Sequence, residues 1–285
     1  MQPERRGLNM GFVQNFGSNL FGSFIAPLAI GALAVAYGWR HAFFVSAAPG
    51  LLMALIIFLV VREPKVERNT AAQETAAVRM SMREMLAHRN IWLSMVIALF
   101  MVPWMVLGWT FLPLLYANVR HFDPTTSSWL MAMLGASATV GAFVLPGLSD
   151  RMGRKPVMVI GCLLGIGAPM AALYWGGSTV VLGGLLLVGW LASGTFPIFM
   201  GTIPSETISA RYVATTCGLV QGLGEIVGAG GGAWLAGKAA DAWGLPAAMW
   251  IMAGCALTGG VLALFLKETA PSKAGVAAKA ALAAA

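Results

Sequence analysis

Charge is what this sequence has least of: only 10% of its 285 residues are Asp, Glu, Lys or Arg, against about 25% in a soluble domain. With 58% hydrophobic residues and a mean hydropathy of +0.78, it carries more apolar surface than a soluble core absorbs. Cysteine is scarce as well. Cys162, Cys217 and Cys255 each stand alone within an apolar run, without CxxC spacing or a histidine cluster nearby, so they read as buried free thiols and no metal site is encoded. His41, His88 and His121 fall in loops and no nucleophile–base pairing stands out, which argues against an enzyme, and no cofactor is implied. A glycine-rich phosphate loop followed by lysine is missing, which argues against an ATP-driven pump. So is a basic stripe interleaved with stacking aromatics, which removes nucleic acid as a partner despite the net charge of +7. Nothing after Met1 looks like a cleavable signal, because Arg5 and Arg6 precede a run too long and too polar at its start.

Long apolar runs are abundant. Eight of them, near 13–36, 43–61, 91–116, 128–147, 156–175, 180–203, 213–237 and 247–266, are long enough to cross a hydrocarbon core of about 30 Å as helices. Lipid offers the backbone no hydrogen-bond partner, so these runs predict an all-α polytopic membrane protein. Pro27, Pro49, Pro103, Pro113, Pro169 and Pro197 lie within the runs, where neighbouring helices must satisfy the freed carbonyls. Alternating the loops from an inside N-terminus puts 15 of the 18 Lys and Arg on one side, with only Arg40, Arg120 and Lys238 opposite. That bias predicts cytoplasmic termini and a cytoplasmic 62–90 loop, in a plasma membrane such as the bacterial inner membrane.

The 62–90 segment is the one long polar stretch. Its later part, Val78 to His88, can form a surface helix with Met80, Met85 and Leu86 turned to lipid, or equally a solvated helical extension of the next span. The first two runs echo the last two at an offset of 206 residues, which sets Gly38 on Gly244, Gly22 on Gly228, Gly31 on Gly237 and Arg5 on Arg211. Two runs separated from their copies by four others imply a six-helix repeat. The expected organisation is a two-helix remnant of a first bundle (1–61), a linker (62–90), a six-helix bundle (91–267) and a tail (268–285).

Leu148-Ser149-Asp150-Arg151-Met152-Gly153-Arg154-Lys155 resembles the loop motif of the major facilitator superfamily, G-x-L-a-D-r-x-G-r-k, with Pro146 where the family's first glycine usually stands. Gly153 suits a short turn, and Asp150 can face a helix N-terminus. Three weaker stretches look like the same superfamily: Pro3 to Gly7, Gly38 to Phe43, and Pro204-Ser205-Glu206 with Arg211. The resemblance implies that the eight spans correspond to helices five to twelve of a twelve-helix transporter, the first four lying before Met1. It also implies a cytoplasmic gate. Asp150 is expected to meet the start of the first span near Gly7 to Gly11 as a latch, together with Arg151, Gly153, Arg154 and Lys155. Glu4 and Glu206 are expected to pair with nearby arginines, Arg5 and Arg211 among the gate residues.

Of the 11 acidic residues only Glu225 lies inside a span, at its centre. A carboxylate there must face a wet cavity, pair, or be protonated, and an intramembrane acid is a candidate proton carrier. The 206-residue shift sets Asn19 on Glu225 and Asn15 on Gln221, polar residues at matched depth that point to a shared cavity. Trp104, Trp109, Tyr116, Trp190, Ser193 and Thr195 lie on the third and sixth spans, which the resemblance makes cavity liners. The crowded glycines of the seventh span read as packing sites. The degraded likeness of Gly22 to Gly31 to an antiporter motif disfavours antiport. These readings converge on a secondary transporter that moves a small organic solute, an organic anion by general resemblance to organic-acid and sugar-acid symporters, with protons by alternating access. The alternative from another class is a truncated, non-transporting remnant or membrane assembly subunit.

Overall fold

The computed structural model describes residues 8, 9, 12, 16–60, 82–271 and 273. The expectations for Pro3, Glu4, Arg5, Asn15, Met80, most of the linker and nearly all of the tail fall outside them. Every regular element among the described residues is helical: α1 (Ser18–Tyr37), α2 (Trp39–Val60), a short α3 (Met82–Ala87), α4 (Arg89–Asn118), α5 (Pro124–Met152), α6 (Arg154–Tyr174), α7 (Thr179–Thr207), α8 (Val213–Leu223, Gly224–Ala229 and Gly230–Trp243 in succession) and α9 (Pro246–Ala263). Seven of these are long and apolar enough to span a membrane; α8 is not among them, diluted by Gln221, Glu225 and its glycines. The chain is an all-helical polytopic membrane protein.

Caps, not hydropathy, set the helix ends. The fourth run, expected over 128–147, is a helix from Pro124 to Met152. Asp123 accepts from the backbone N–H of Thr125 (2.9 Å) and Thr126 (3.0 Å) at its start, and Gly153 at φ +110° turns the chain at its end. Likewise α8 runs on to Trp243 and stops at Gly244. Gly38 and Gly244, paired by the repeat, close α1 and α8 with φ of +83° and +84°, a conformation that glycine adopts at no steric cost.

Proline is accommodated as lipid requires. Pro169 cannot donate to the carbonyl four residues earlier, and that carbonyl, Gly165 O, instead accepts from the Trp104 indole Nε1 at 2.8 Å. The core runs through α4 to α9, with Trp104, Leu107, Trp190, Phe199, Met249 and Met252 fully buried. Gly224, Gly228 and Gly232, four apart on α8, lie against Ala98, Leu99 and Pro103 of α4, where a side chain would press on its neighbours, the packing role expected of the span's glycines; Gly218, Gly222, Gly230, Gly231 and Gly237 meet nothing within 4 Å among the described residues, which corrects the expectation for them. On α3 the sequence reading is corrected: Met85 does not face lipid but is buried with Ile91 and Ile208, because the α3–α4 corner folds under the end of α7.

The first two helices differ in kind. α1 lies against α5 so closely that a Cβ on Gly135 would strike the Ser23 backbone carbonyl, and α2 leans on α1. Of α2, mean hydropathy 2.5, only Ala42 is buried. Such a surface is stable only with an apolar solvent around it.

Candidate functional site

Two constellations stand out, one at the α5–α6 turn and one near the middle of α7 and α8. At the turn, Arg154 is 1% exposed and its guanidinium donates to three oxygens within 2.7 Å: Asp150 Oδ1 (2.6 Å), Ser149 Oγ (2.7 Å) and Glu206 Oε1 (2.7 Å). A second bond to Glu206 Oε2 (3.2 Å) makes the Arg154–Glu206 pair bidentate. Beyond α9, Glu268 accepts from the backbone N–H groups of Arg154 (2.7 Å) and Lys155 (3.2 Å), so a carboxylate caps the positive end of α6. Thr269 Oγ1 donates to Glu206 Oε2 (2.7 Å). A side chain on Gly153 would run into the Glu268 carboxylate, a second reason for glycine there.

The start of the chain reaches this network: the Leu8 backbone N–H donates to Asp150 Oδ2 at 3.1 Å, within the Gly7 to Gly11 stretch expected to meet Asp150. The partner expected for Glu206 is corrected. Arg211, on the turn before α8, is exposed and sits over the Tyr212 ring at 5.7 Å, while Arg154 at the start of α6 takes Glu206. Arg151 is exposed and, with Leu8, Phe143 and Asp150, lines an open groove beside the network. Ser149, Glu268 and Thr269 were missed as members, because nothing in the sequence brings 149 and 268 together.

The second constellation is a cavity of about 230 Å³ lined by Asn19 of α1, Met105 and Trp109 of α4, Ala138 of α5, Trp190, Ser193, Phe196 and Met200 of α7, and Gln221 and Glu225 of α8. Six residues singled out from sequence, Glu225, Gln221, Asn19, Trp109, Trp190 and Ser193, meet here. Trp104, Tyr116 and Thr195 do not line it: Trp104 stacks behind Trp190 at 4.4 Å, Tyr116 is buried in the core, and the Thr195 hydroxyl is satisfied by Ala192 O (2.7 Å). The apolar liners Met105, Ala138, Phe196 and Met200 give no signal in the sequence, being apolar residues in apolar runs.

Backbone irregularity concentrates on this cavity. Asn19 lies in the wide-turn segment Ser18–Ile25, Ser193 in the 3₁₀ segment Leu191–Thr195, Met200 in the π segment Ile198–Thr202 and Glu225 in the π segment Gly224–Ala229. Such segments are uncommon and gather at functional sites. Asn19 is held by its Nδ2 donating to Ala138 O at 3.2 Å. Trp109 stands edge-on to Trp190, ring centres 5.5 Å apart. The Glu225 side chain is exposed and has no ion pair among the described residues, so of the three possibilities for a carboxylate in a span it takes the open cavity. Among the described residues, no Lys, Arg or His lines the cavity.

Comparison with known proteins adds the lineage. The sequence profile described as Major Facilitator Superfamily matches residues 1–232. A glucose-6-phosphate exchanger of Danio rerio is 31% identical over 148 residues, 48% of this chain and 29% of that protein. A glycine betaine/proline/ectoine/pipecolic acid transporter of Dickeya dadantii is 26% identical over 304 aligned positions, 94% of this chain and 57% of its own length. The glycerol-3-phosphate transporter of Bacillus subtilis is 23% identical over 248 positions, covering 78% and 55%. This chain thus spans at most 57% of the length of these relatives. The matched family is one of transporters, not enzymes, and the profile, the loop motif and the helical fold agree: the chain belongs to the major facilitator superfamily.

Proposed function

We propose that this chain carries helices of a secondary transporter that moves a small organic solute by alternating access, with Glu225 taking up and releasing the proton that couples the cycle. The observation that carries the reading is a lone carboxylate, exposed in a cavity beside the amides of Asn19 and Gln221 and mounted on a π segment. An acid so placed exchanges its proton without breaking a structural ion pair. Protonated, it is neutral and donates a hydrogen bond, so solute and proton bind together, as symport requires.

Sidedness follows from charge: the excess of Lys and Arg supports a cytoplasmic α5–α6 turn and cytoplasmic termini in a plasma membrane, the bacterial inner membrane in a bacterium. On that side the Asp150–Arg154–Glu206 network, tied to Leu8, acts as a latch. The division at 61 and 90 into two leading helices, a linker and a six-helix bundle up to 267 agrees with the sparse burial of α1 and α2. For the solute, the names of two relatives carry phosphorylated compounds, which supports an organic anion. The described cavity wall has no cation, so such a solute's charged group is met outside this wall.

Proteoliposomes loaded with a pH-sensitive dye test the coupling. Glycerol 3-phosphate, glucose 6-phosphate and glycine betaine serve as probes. Wild-type protein is expected to take up protons with at least one of them, and Glu225→Gln to lose that uptake while still exchanging labelled probe across the membrane. Proton uptake unchanged in Glu225→Gln overturns the coupling role.

A further inference from the structure

α4, α6 and α9 are fastened to one another at three depths. At one end Asn90, buried at the start of α4, pairs with the backbone just past α9: its Nδ2 donates to Lys267 O and its Oδ1 accepts from Lys267 N, both at 2.9 Å. The next residue, Glu268, holds the first N–H groups of α6. Midway, Trp104 Nε1 donates to Gly165 O, and Gly259 and Gly260 of α9 lie against Met101 of α4 and against Cys162 and Leu163 of α6. At the far end Arg120, on the turn after α4, donates from its guanidinium to the last carbonyls of α6: Ala172 O (3.4 Å), Leu173 O (3.3 Å) and Trp175 O. A carboxylate on the N–H end of α6 and a cation on its carbonyl end both favour the docked arrangement. Lipid offers no partner to take over such bonds, so the three helices resist sliding past one another.

α8 is held differently. Among the described residues, its side chains make no hydrogen bond to another helix apart from the Cys217 thiol, 4.0 Å from Gly201 O. It meets α4 through Gly224, Gly228 and Gly232, whose missing side chains bring its backbone onto Ala98, Leu99, Val102 and Pro103, and five other glycines face nothing within 4 Å among the described residues. Two helices that meet through small apolar groups and share no hydrogen bond can shear with little loss. The π segment Gly224–Ala229, set between two α-helical stretches, supplies a place to bend. Its counterpart in α1 begins at the matched position under the 206-residue shift, Ser18 against Gly224, yet is tied down: Asn19 Nδ2 donates to Ala138 O, and the Ser23 carbonyl is pressed on Gly135. The same irregularity is fixed in α1 and unfastened in α8.

We propose that α8 is a moving helix within the bundle: it tilts at Gly224–Ala229 along α4, while α4, α6 and α9 form the fixed frame against which it moves. Gln221 and Glu225 ride on α8, so its tilt reshapes the cavity wall they form. The proposal rests on the transport reading in requiring a change of shape, and not on proton coupling. Electron-spin distance measurements on the full chain in nanodiscs test it, with labels carried on p-acetylphenylalanine and Cys162, Cys217 and Cys255 replaced by alanine. All label sites are exposed: Leu235 with Leu257 reads α8 against α9, Trp92 with Ile160 reads α4 against α6, and Val144 with Leu257 reads α5 against α9. The α8–α9 distance distribution is expected to be at least about twice as wide as the α4–α6 one. A disulfide then locks the sliding contact: a Cβ on Gly224 would lie 3.1 Å from that of Ala98, so Ala98→Cys with Gly224→Cys sets two thiols within bonding reach. Oxidation is expected to narrow the α8–α9 distribution to the width of the frame, and reduction to restore it, which also shows that the variant is folded. An α8–α9 distribution no wider than the frame's, failure of the disulfide to form, or a width that the disulfide leaves unchanged overturns the proposal. If α5–α9 is wide while α8–α9 is narrow, the proposal alone fails and the transport reading stands; if all three are narrow, both fail.

Discussion

The network at the α5–α6 turn and the cavity between α7 and α8 are built from the same few residue types and treat them in opposite ways. At the turn, Arg154 is enclosed by Asp150 and Glu206, and Glu268 is spent on backbone N–H groups. In the cavity the acid has no ion pair among the described residues, and an indole N–H and a hydroxyl are left unpaired. The first arrangement holds one shape; the second leaves polar groups without partners among the described residues, as do Ser94, Tyr116 and Ser127 elsewhere.

The contrast predicts effects on stability that fall steeply from one region to the other. Arg154→Met strands two carboxylates in a buried site and is expected to cost about 3–5 kcal/mol, read as a large drop in melting temperature of the detergent-purified protein; melting like wild type would erase the distinction. Gly135→Ala forces α1 off α5 and is expected to cost about 1–3 kcal/mol, with weaker disulfide cross-linking between cysteines placed at positions 31 and 128, where a Cβ on Gly31 would lie 3.4 Å from that of Ser128. Gly222→Ala, on the open face of α8, meets nothing within 4 Å and is expected to raise stability by up to about 1 kcal/mol. Glu225→Gln breaks no pair and is expected to change stability by less than about 0.5 kcal/mol, although proton uptake is lost; a drop like that of Arg154→Met would make Glu225 a structural residue.

Much of the cavity was legible because polarity inside an apolar run is conspicuous. Glu225, Gln221 and Asn19 stand out for that reason, and the 206-residue echo sets Asn19 opposite Glu225 before any coordinates are considered. The gate was legible in part. Asp150 and Arg154 lie in the loop motif, but Arg211 is only five residues from Glu206 and so looked the nearer partner, whereas the arginine that reaches it is 52 residues away. Helix ends were misjudged by several residues wherever a cap, Asp123 or Gly244, sits beyond the apolar stretch.

The sequence by itself determined that the chain is helical and lies in lipid, and which acid is singular, because each follows from composition and order along one strand of residues. Tertiary structure alone decided which carboxylates are neutralised and which one stays open. Ion pairing falls off within a few ångströms, and the distances among Leu8, Asp150, Arg154, Glu206 and Glu268 are set by how the helices pack, not by their separation along the chain.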